Sequence, residues 1–334
     1  MIDLCIDARM AFSSGIGTYI RQLVPLLTDF RITLLVDRIG SDWCRKFEQI
    51  HFPVPIYSIQ EQALFPIKVP RCDLFWSPHY NIPLLPIRAR KRVVTIHDAC
   101  HLALGSWHQR VYAKMVMGKA LHGSAKVITD SQFSKEEVYR YLGRSKKEVE
   151  VIQIAVNREI YFRRNASDEI RKKYRLPEKF ILFVGNHKPH KNIEGLVLAF
   201  SKLKIPNLGL VVVGKGTATG EVLDKELPIL YSMAEAFILP SFYEGFGLPP
   251  LEAMSCGCPT LVSRAASLPE VCGDASLYFD PWNAVEMAEA IQRVVANQTL
   301  RDELIQKGYE RVQSFSWAKT AERHRQIFEE VCHA

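Results

Sequence analysis

The chain has 334 residues, 48% of them hydrophobic and 24% charged, with a net charge of +7. That length exceeds one ordinary core and fits two α/β domains with a cleft between them; the average composition, without repeats or low-complexity tracts, excludes a fibrous, solenoid or disordered protein. No run reaches the roughly 18 apolar residues of a membrane span, and Met1 to Met10 reads as a strand without the flanks of a signal peptide, so the expected location is the cytoplasm.

In chain order, apolar β-branched runs at Ile2 to Ile6, Ile32 to Val36, Val93 to Ile96 and Lys126 to Thr129 alternate with helix-like stretches, the pattern of β-α units on a parallel sheet. A polar, charge-rich stretch from Asn157 to Leu176 follows, with the hinge placed near its start. The alternation then restarts at Phe180 to Val184 and continues through Leu208 to Val213, Ala236 to Leu239 and Thr260 to Val262. Ser316 to Cys332 reads as an amphipathic helix with apolar positions Ala318, Ala321, Ile327, Phe328 and Val331, outside the second domain's own core. The division expected is therefore 1–160, 161–315 and a terminal helix, 316–334.

The eight cysteines are scattered, with no C-x-x-C and no zinc spacing, which predicts free, mostly buried thiols. Two basic clusters (Arg88, Arg90, Lys91, Arg92; Arg144, Lys146, Lys147) are compatible with a solvated face or with a negative membrane surface. No recognised motif accompanies them, so nucleic acid is not an expected partner.

Three segments carry candidate chemistry. Gly15-Ile-Gly17 follows the first strand and opens a helix; it suits close approach to a phosphate or sugar, or only a tight turn, and a full G-x-G-x-x-G is absent. Gly185-Asn186-His-Lys188-Pro-His-Lys191-Asn192 lies at the carboxyl end of a strand, where doubly wound sheets bind ligands. Lys191 there adds a point charge to the amino end of a helix, suiting a diphosphate; a solvent-facing lysine is the plainer alternative. In Glu244-Gly-Phe246-Gly247-Leu248-Pro-Pro-Leu-Glu252, the glycines let N–H groups of Phe246 to Leu248 face a ligand, and prolines suit a first helical turn. Glu252 can accept ribose hydroxyls and Glu244 hexose hydroxyls; the alternative, carboxylates complementing a helix's positive end, leaves the glycines and prolines unexplained.

With these segments the chain resembles the family-4 retaining glycosyltransferases of the GT-B fold, whose signature is two glutamates separated by seven residues. It is similar in particular to bacterial mannosyltransferases of polysaccharide and O-antigen assembly. The resemblance also rests on Asp7-Ala-Arg9, Thr95-Ile-His97-Asp98, Thr129-Asp-Ser131 and Leu268-Pro-Glu270. It implies two facing Rossmann-like domains and a nucleotide-sugar donor, GDP- or UDP-linked, held by Asn186, Lys188 and Lys191 at the diphosphate, Glu252 at the ribose and Gly220 to Val222 (with Glu221) near the base. Gly15 and Gly17 join this donor set. Glu244 with the Phe246, Gly247 and Leu248 backbone would hold the sugar, and His97 would stand near the reacting centre, unless it is merely a packed strand-end histidine.

The implied reaction is transfer of a hexose, with mannose from GDP-mannose as the first candidate, to a glycan or lipid-linked acceptor with retained configuration, at a site in possible peripheral contact with the membrane. A nucleotide-sugar-binding protein with impaired or no transfer activity is the alternative. Two departures motivate it: Asn186 stands where many members have arginine, and only Thr217 and Ala218 occupy the place of a β-α unit after Gly216. Either such a unit has been lost or part of the chain is missing from the sequence. No D-x-D motif occurs, so neither a metal nor another cofactor is expected. Transfer should accordingly persist when the protein is assayed with a chelator, and complete loss on chelation would count against the metal-free scheme.

Overall fold

The computed structural model describes residues 1–145, 148–217 and 219–334. The chain divides into two compact units, Met1–Ile154 with Trp317–Ala334, and Ala155–Ser316.

The first unit is built on a parallel sheet of seven strands: β1 (Ile2–Asp7), β2 (Phe30–Val36), β3 (Glu48–His51), β4 (Cys72–Ser77), β5 (Ala89–Thr95), β6 (Lys126–Thr129) and β7 (Val149–Val151). Their order is β3-β2-β1-β4-β5-β6-β7. The chain runs outward from β1 on one side and then restarts at β4 on the other, so β1 and β4 flank a topological switch point. The apolar runs read from the sequence are β1, β2, β5 and β6. The other three strands were not legible as apolar runs: β3 is polar, β7 has three residues, and β4 carries Asp73 within Cys-Asp-Leu-Phe-Trp-Ser.

The second unit carries a smaller parallel sheet: β8 (Lys179–Val184), β9 (Leu208–Val213), β10 (Ala236–Leu239), β11 (Thr260–Ser263) and β12 (Ser276–Phe279), in the order β12-β11-β10-β8-β9. Its switch point lies between β8 and β10. Beyond β9 no further strand pairs among the described residues, and the chain reaches the helix Leu227–Met233 without an intervening element. The turn is tight: the Gly214 N–H donates to the Gly220 carbonyl at 2.9 Å. Gly214 (φ +145°) cannot be replaced, because a Cβ there would lie 1.9 Å from the Gly185 carbonyl oxygen. Ala218, named in the sequence reading, falls outside the described residues.

All eight cysteines are free, six of them buried. No helix among the described residues is long and apolar enough to cross a membrane.

The C-terminal helix (Trp317–His333) belongs to the first unit, outside the second unit's core as expected. Its buried face is Trp317, Thr320, Ala321, His324, Ile327, Phe328 and Val331, a 3-4 spacing. Ala318, expected inside, is exposed, because Trp317 and His324 set the helix's rotation. Phe328 packs on Trp76 and Phe30 with ring centroids 5.3 and 5.8 Å apart. Arg323 pairs with Glu150 at 2.6 Å, and the Thr320 hydroxyl donates to the Gln153 carbonyl at 2.8 Å.

One buried chain of hydrogen bonds fixes the helix. The Trp76 indole N–H donates to Thr95 Oγ1 (3.1 Å), Thr95 lies 3.2 Å from the Tyr19 hydroxyl, and Tyr19 lies 2.6 Å from His324 Nε2. His324 Nδ1 meets the Thr320 carbonyl at 2.7 Å. An indole can only donate and a carbonyl can only accept, so the order Trp76 to Thr95 to Tyr19 to His324 to Thr320 satisfies every member with a neutral imidazole. A proton on Nε2 would oppose the Tyr19 hydroxyl. Burial, with the nearby His97 charge, pushes the His324 pKa down to about 4, against the hydrogen bond to Thr320. A histidine depressed this way contributes stability that is present above its unfolded value near 6.5 and lost as pH falls toward 4, in total about 3 kcal/mol. Urea unfolding followed by tryptophan emission should show that loss between pH 6.5 and 4 in the wild type, and His324→Gln should flatten it.

Candidate functional site

The second unit's switch crevice gathers the residues that the sequence singled out. The loop after β8 and the loop after β10 are neighbours because β8 pairs directly with β10. Across them Lys191 Nζ meets Glu244 Oε1 at 2.6 Å, with both side chains mostly buried. The Ser241 hydroxyl donates to the same carboxylate oxygen at 2.6 Å. A backbone bond from the Phe242 N–H to the His190 carbonyl (2.8 Å) ties the loops again.

What holds Lys191 in place is Asn192, whose role the sequence did not reveal. It is buried, adopts the left-handed conformation (φ 54°), and donates its amide to the carbonyls of Pro240 (3.2 Å) and Pro281 (2.7 Å). Asparagine tolerates that conformation better than most residues, and its side chain supplies the two donors. Gly195, one turn on, leaves room for this amide: a Cβ there would lie 2.2 Å from Asn192 Oδ1. Ser267 serves the other loop, its single hydroxyl proton shared between the carbonyls of Glu244 (3.0 Å) and Phe246 (2.8 Å). Neither residue stands out by type, since asparagine and serine are ordinary loop residues.

The helix Leu248–Ser255 starts from Gly247 in the left-handed region. Pro249 and Pro250 carry no N–H, so the donors at this end are the Phe246, Gly247 and Leu248 backbone groups. Glu252 sits one turn in, partly exposed, accepting from the Tyr231 hydroxyl at 2.9 Å. Burial raises its carboxyl to about 7, more than hydrogen bonds from Tyr231 and Tyr161 lower it. Asn186 Oδ1 is buried without a hydrogen-bond partner among the described residues. Lys188 and Glu221 are exposed, and Gly220 and Val222 belong to the turn after β9.

The first unit holds the remaining candidates. Gly17 is needed by packing: a Cβ there would lie 2.6 Å from the Ala11 carbonyl oxygen, whereas Gly15 has open space at that position. His97 Nδ1 lies 2.5 Å from Asp130 Oδ2 and its Nε2 2.9 Å from the Pro78 carbonyl, an arrangement that satisfies an imidazolium with two acceptors. Burial alone would lower the His97 pKa; the Asp130 charge outweighs it and raises it. Asp130 lies in the Thr129-Asp-Ser131 motif, which the sequence flagged without a role.

At the β1/β4 switch point stands a buried ionic cluster. Arg9 bonds Asp7 and Glu61, each at 2.6 Å, and lies over the Phe52 ring, 4.3 Å from its centroid. Asn81 donates to Glu61 (2.7 Å) and accepts from the Tyr112 hydroxyl (2.8 Å), while His79 Nε2 is 3.3 Å from Asp7. Burial would raise the Asp7 carboxyl, but Arg9 and His79 hold it well below the usual range. This cluster fills its crevice with the chain's own charges.

Two parallel α/β units, the second with a cation and a carboxylate at its switch crevice, are what the resemblance to the GT-B glycosyltransferases implied. Comparison with known proteins agrees. Residues 166–311 match the model for glycosyl transferases group 1. The O-antigen chain mannosyltransferase B of Escherichia coli is 33% identical over 263 residues, covering 70% of this chain and 68% of the relative. The chain belongs to the group 1 glycosyltransferase family. Some other relatives are much longer: of one serotype-specific mannosyltransferase from Escherichia coli the match covers 27%. Among solved structures, the fold resembles sucrose-phosphate synthase from Thermosynechococcus elongatus (TM-score 0.80, 21% identity, 99% of each chain). It also resembles Anabaena HepE in complex with UDP and glucose (TM-score 0.78, 16% identity, 98% of this chain and 100% of that one).

On the ribose role that the resemblance implies for Glu252, an ionised carboxylate accepts hydrogen bonds from two hydroxyls better than its acid form does. Nucleoside diphosphate affinity is therefore expected to rise as pH rises through about 7 in the wild type, and to lose that dependence in Glu252→Gln, both read by calorimetric titration.

Proposed function

We propose that the protein is a retaining, metal-independent hexosyltransferase that moves mannose from GDP-mannose to a glycan or lipid-linked acceptor, working in the cytoplasm at the membrane surface. The observation that carries this reading is the Lys191–Glu244 pair, 2.6 Å long, at the crevice between β8 and β10. The mannosyl donor rests on the similarity to a mannosyltransferase of O-antigen assembly.

Departure of the nucleotide places negative charge on the diphosphate while the sugar becomes positive, so a site needs a cation on one side and hydroxyl acceptors on the other. Lys191 supplies the first and Glu244 the second. Without donor they neutralise each other, which keeps two largely desolvated charges paired. Donor binding exchanges that pair: the ammonium turns to the diphosphate and the carboxylate to the sugar hydroxyls. The Phe246 to Leu248 N–H groups add donors for the sugar. Asn186 assists at the diphosphate with its amide N–H2. His97, as an imidazolium fixed by Asp130, contributes positive charge in the first unit, and Gly15 leaves space for a ligand's approach.

The alternative, donor binding without turnover, is favoured by one feature, the direct passage from β9 to the helix Leu227–Met233. Titration with GDP, UDP and ADP, without metal and then with magnesium, decides between an intact and a broken donor site. Glu244→Gln separates the roles. It frees Lys191 from a competitor, so the nucleoside diphosphate alone should bind more tightly, while transfer should fall roughly ten- to a hundredfold as charged hydrogen bonds to the sugar are lost. Unchanged transfer in both Glu244→Gln and Glu252→Gln would overturn the assignment.

A further inference from the structure

The helix Trp107–Gly123 is apolar on two opposite faces. Ala113, Val116, Met117, Ala120 and Leu121 are buried in the first unit's core. On the other side Trp107, Val111 and Met115, spaced four apart and so drifting only about 40° per step, form a ridge that is 68%, 60% and 54% exposed. Leu104, just before the helix, is 50% exposed and adds to it. One apolar face is accounted for by the core, whereas the second has no partner among the described residues.

Its charged surroundings are one-sided. By helical geometry Arg110 and Lys114 fall along one flank of the ridge, His108 and Lys119 along the other. Arg110 donates to the Ala103 carbonyl at 3.1 Å, but neither it nor Lys114 has an ion pair among the described residues, and between Asp98 and Asp130 the chain contains no Asp or Glu. Lys119 donates to the Leu84 carbonyl at 2.5 Å, which anchors that flank to the loop before β5. Of the basic clusters noted in the sequence, Arg92 donates to the Pro83 carbonyl at 3.0 Å, Arg90 lies 3.4 Å from Asp73, and Lys146 and Lys147 lie outside the described residues.

We propose that this helix is a membrane-docking surface for anionic phospholipid, with Trp107, Val111 and Met115 entering the boundary between headgroups and acyl chains and Arg110 and Lys114 bonding phosphates. An apolar ridge flanked by cations is the pattern of a helix lying in the interface plane, and an indole is at home at headgroup depth. Long basic side chains can follow their stems along the ridge and keep their charges at the phosphates. A protein partner would need an acidic rim matched to both flanks. This inference gains its purpose from the proposed lipid-linked acceptor, but its geometry is independent of donor and acceptor.

The test is flotation of the full chain with phosphatidylcholine vesicles and with mixed phosphatidylcholine–phosphatidylglycerol vesicles, without any sugar donor. Binding to the mixed vesicles, weakened by high salt and at least about tenfold weaker in Val111→Glu/Met115→Glu with an unchanged thermal midpoint, supports the proposal. Arg110→Gln/Lys114→Gln, which leaves the ridge intact, should lose about fivefold for each charge removed. Absence of wild-type binding, equal binding to both vesicle types, or full binding by the two variants overturns it. So does a wild-type dimer by light scattering that the ridge variant turns into a monomer, since the occupant would then be a second copy. Failure of transfer assays, by contrast, leaves these readings untouched.

Discussion

The site depends on one topological constraint, the direct pairing of β8 with β10. Every strand of the second sheet is parallel, so all strand-to-helix loops emerge at one edge. Consecutive strands would hand neighbouring loops to one another in sequence order. Here the chain steps from β8 to β9 on one side and then crosses to β10 on the other. The helices that follow β8 and β10 therefore diverge, and a crevice opens between their loops. Lys191 and Glu244, far apart in the chain, meet because of that crossing, and Asn192, Ser241 and Ser267 secure the meeting with bonds to carbonyls and to the carboxylate.

Each unit has its own switch point, and the two are occupied differently. In the first, Asp7, Arg9, Glu61, His79 and Asn81 occupy the β1/β4 position as a buried cluster in which Arg9 is paired with both carboxylates. Removing one partner of such a network would strand a buried charge, at a cost of about 3–5 kcal/mol. In the second, the Lys191–Glu244 pair remains partly accessible, as the proposed exchange with a donor requires.

Histidine chemistry in the first unit is split by its neighbours. His97 faces a carboxylate and a carbonyl, which favours its cation, whereas His324 sits between a hydroxyl donor and a carbonyl and is held neutral. Their stability contributions occupy opposite windows. That of His324 is lost as pH falls below 6.5, and that of His97 is present below 6.5 and lost as pH rises through its raised value. The Tyr19 ring touches both, its centroid 4.8 Å from that of His97 and 5.8 Å from that of His324.

The amino-acid sequence by itself determined the alternation of strand and helix, the restart near Phe180, the Glu244 to Glu252 segment with its glycines and prolines, and the family. These are local patterns: burial on both faces of a parallel strand writes continuous apolar runs, and turn chemistry writes glycine and proline. Short or polar strands such as β3 and β7 left no such signature. Only the tertiary structure decided that Lys191 meets Glu244, that Gly17 serves packing against Ala11, that Asp130 fixes the charge of His97, and that the C-terminal helix turns Trp317 and His324 inward while Ala318 faces out. The reason is the same in each case. A hydrogen bond or close contact between residues distant in the chain depends on which strands lie side by side, and that order leaves no trace in the spacing of residues along one segment.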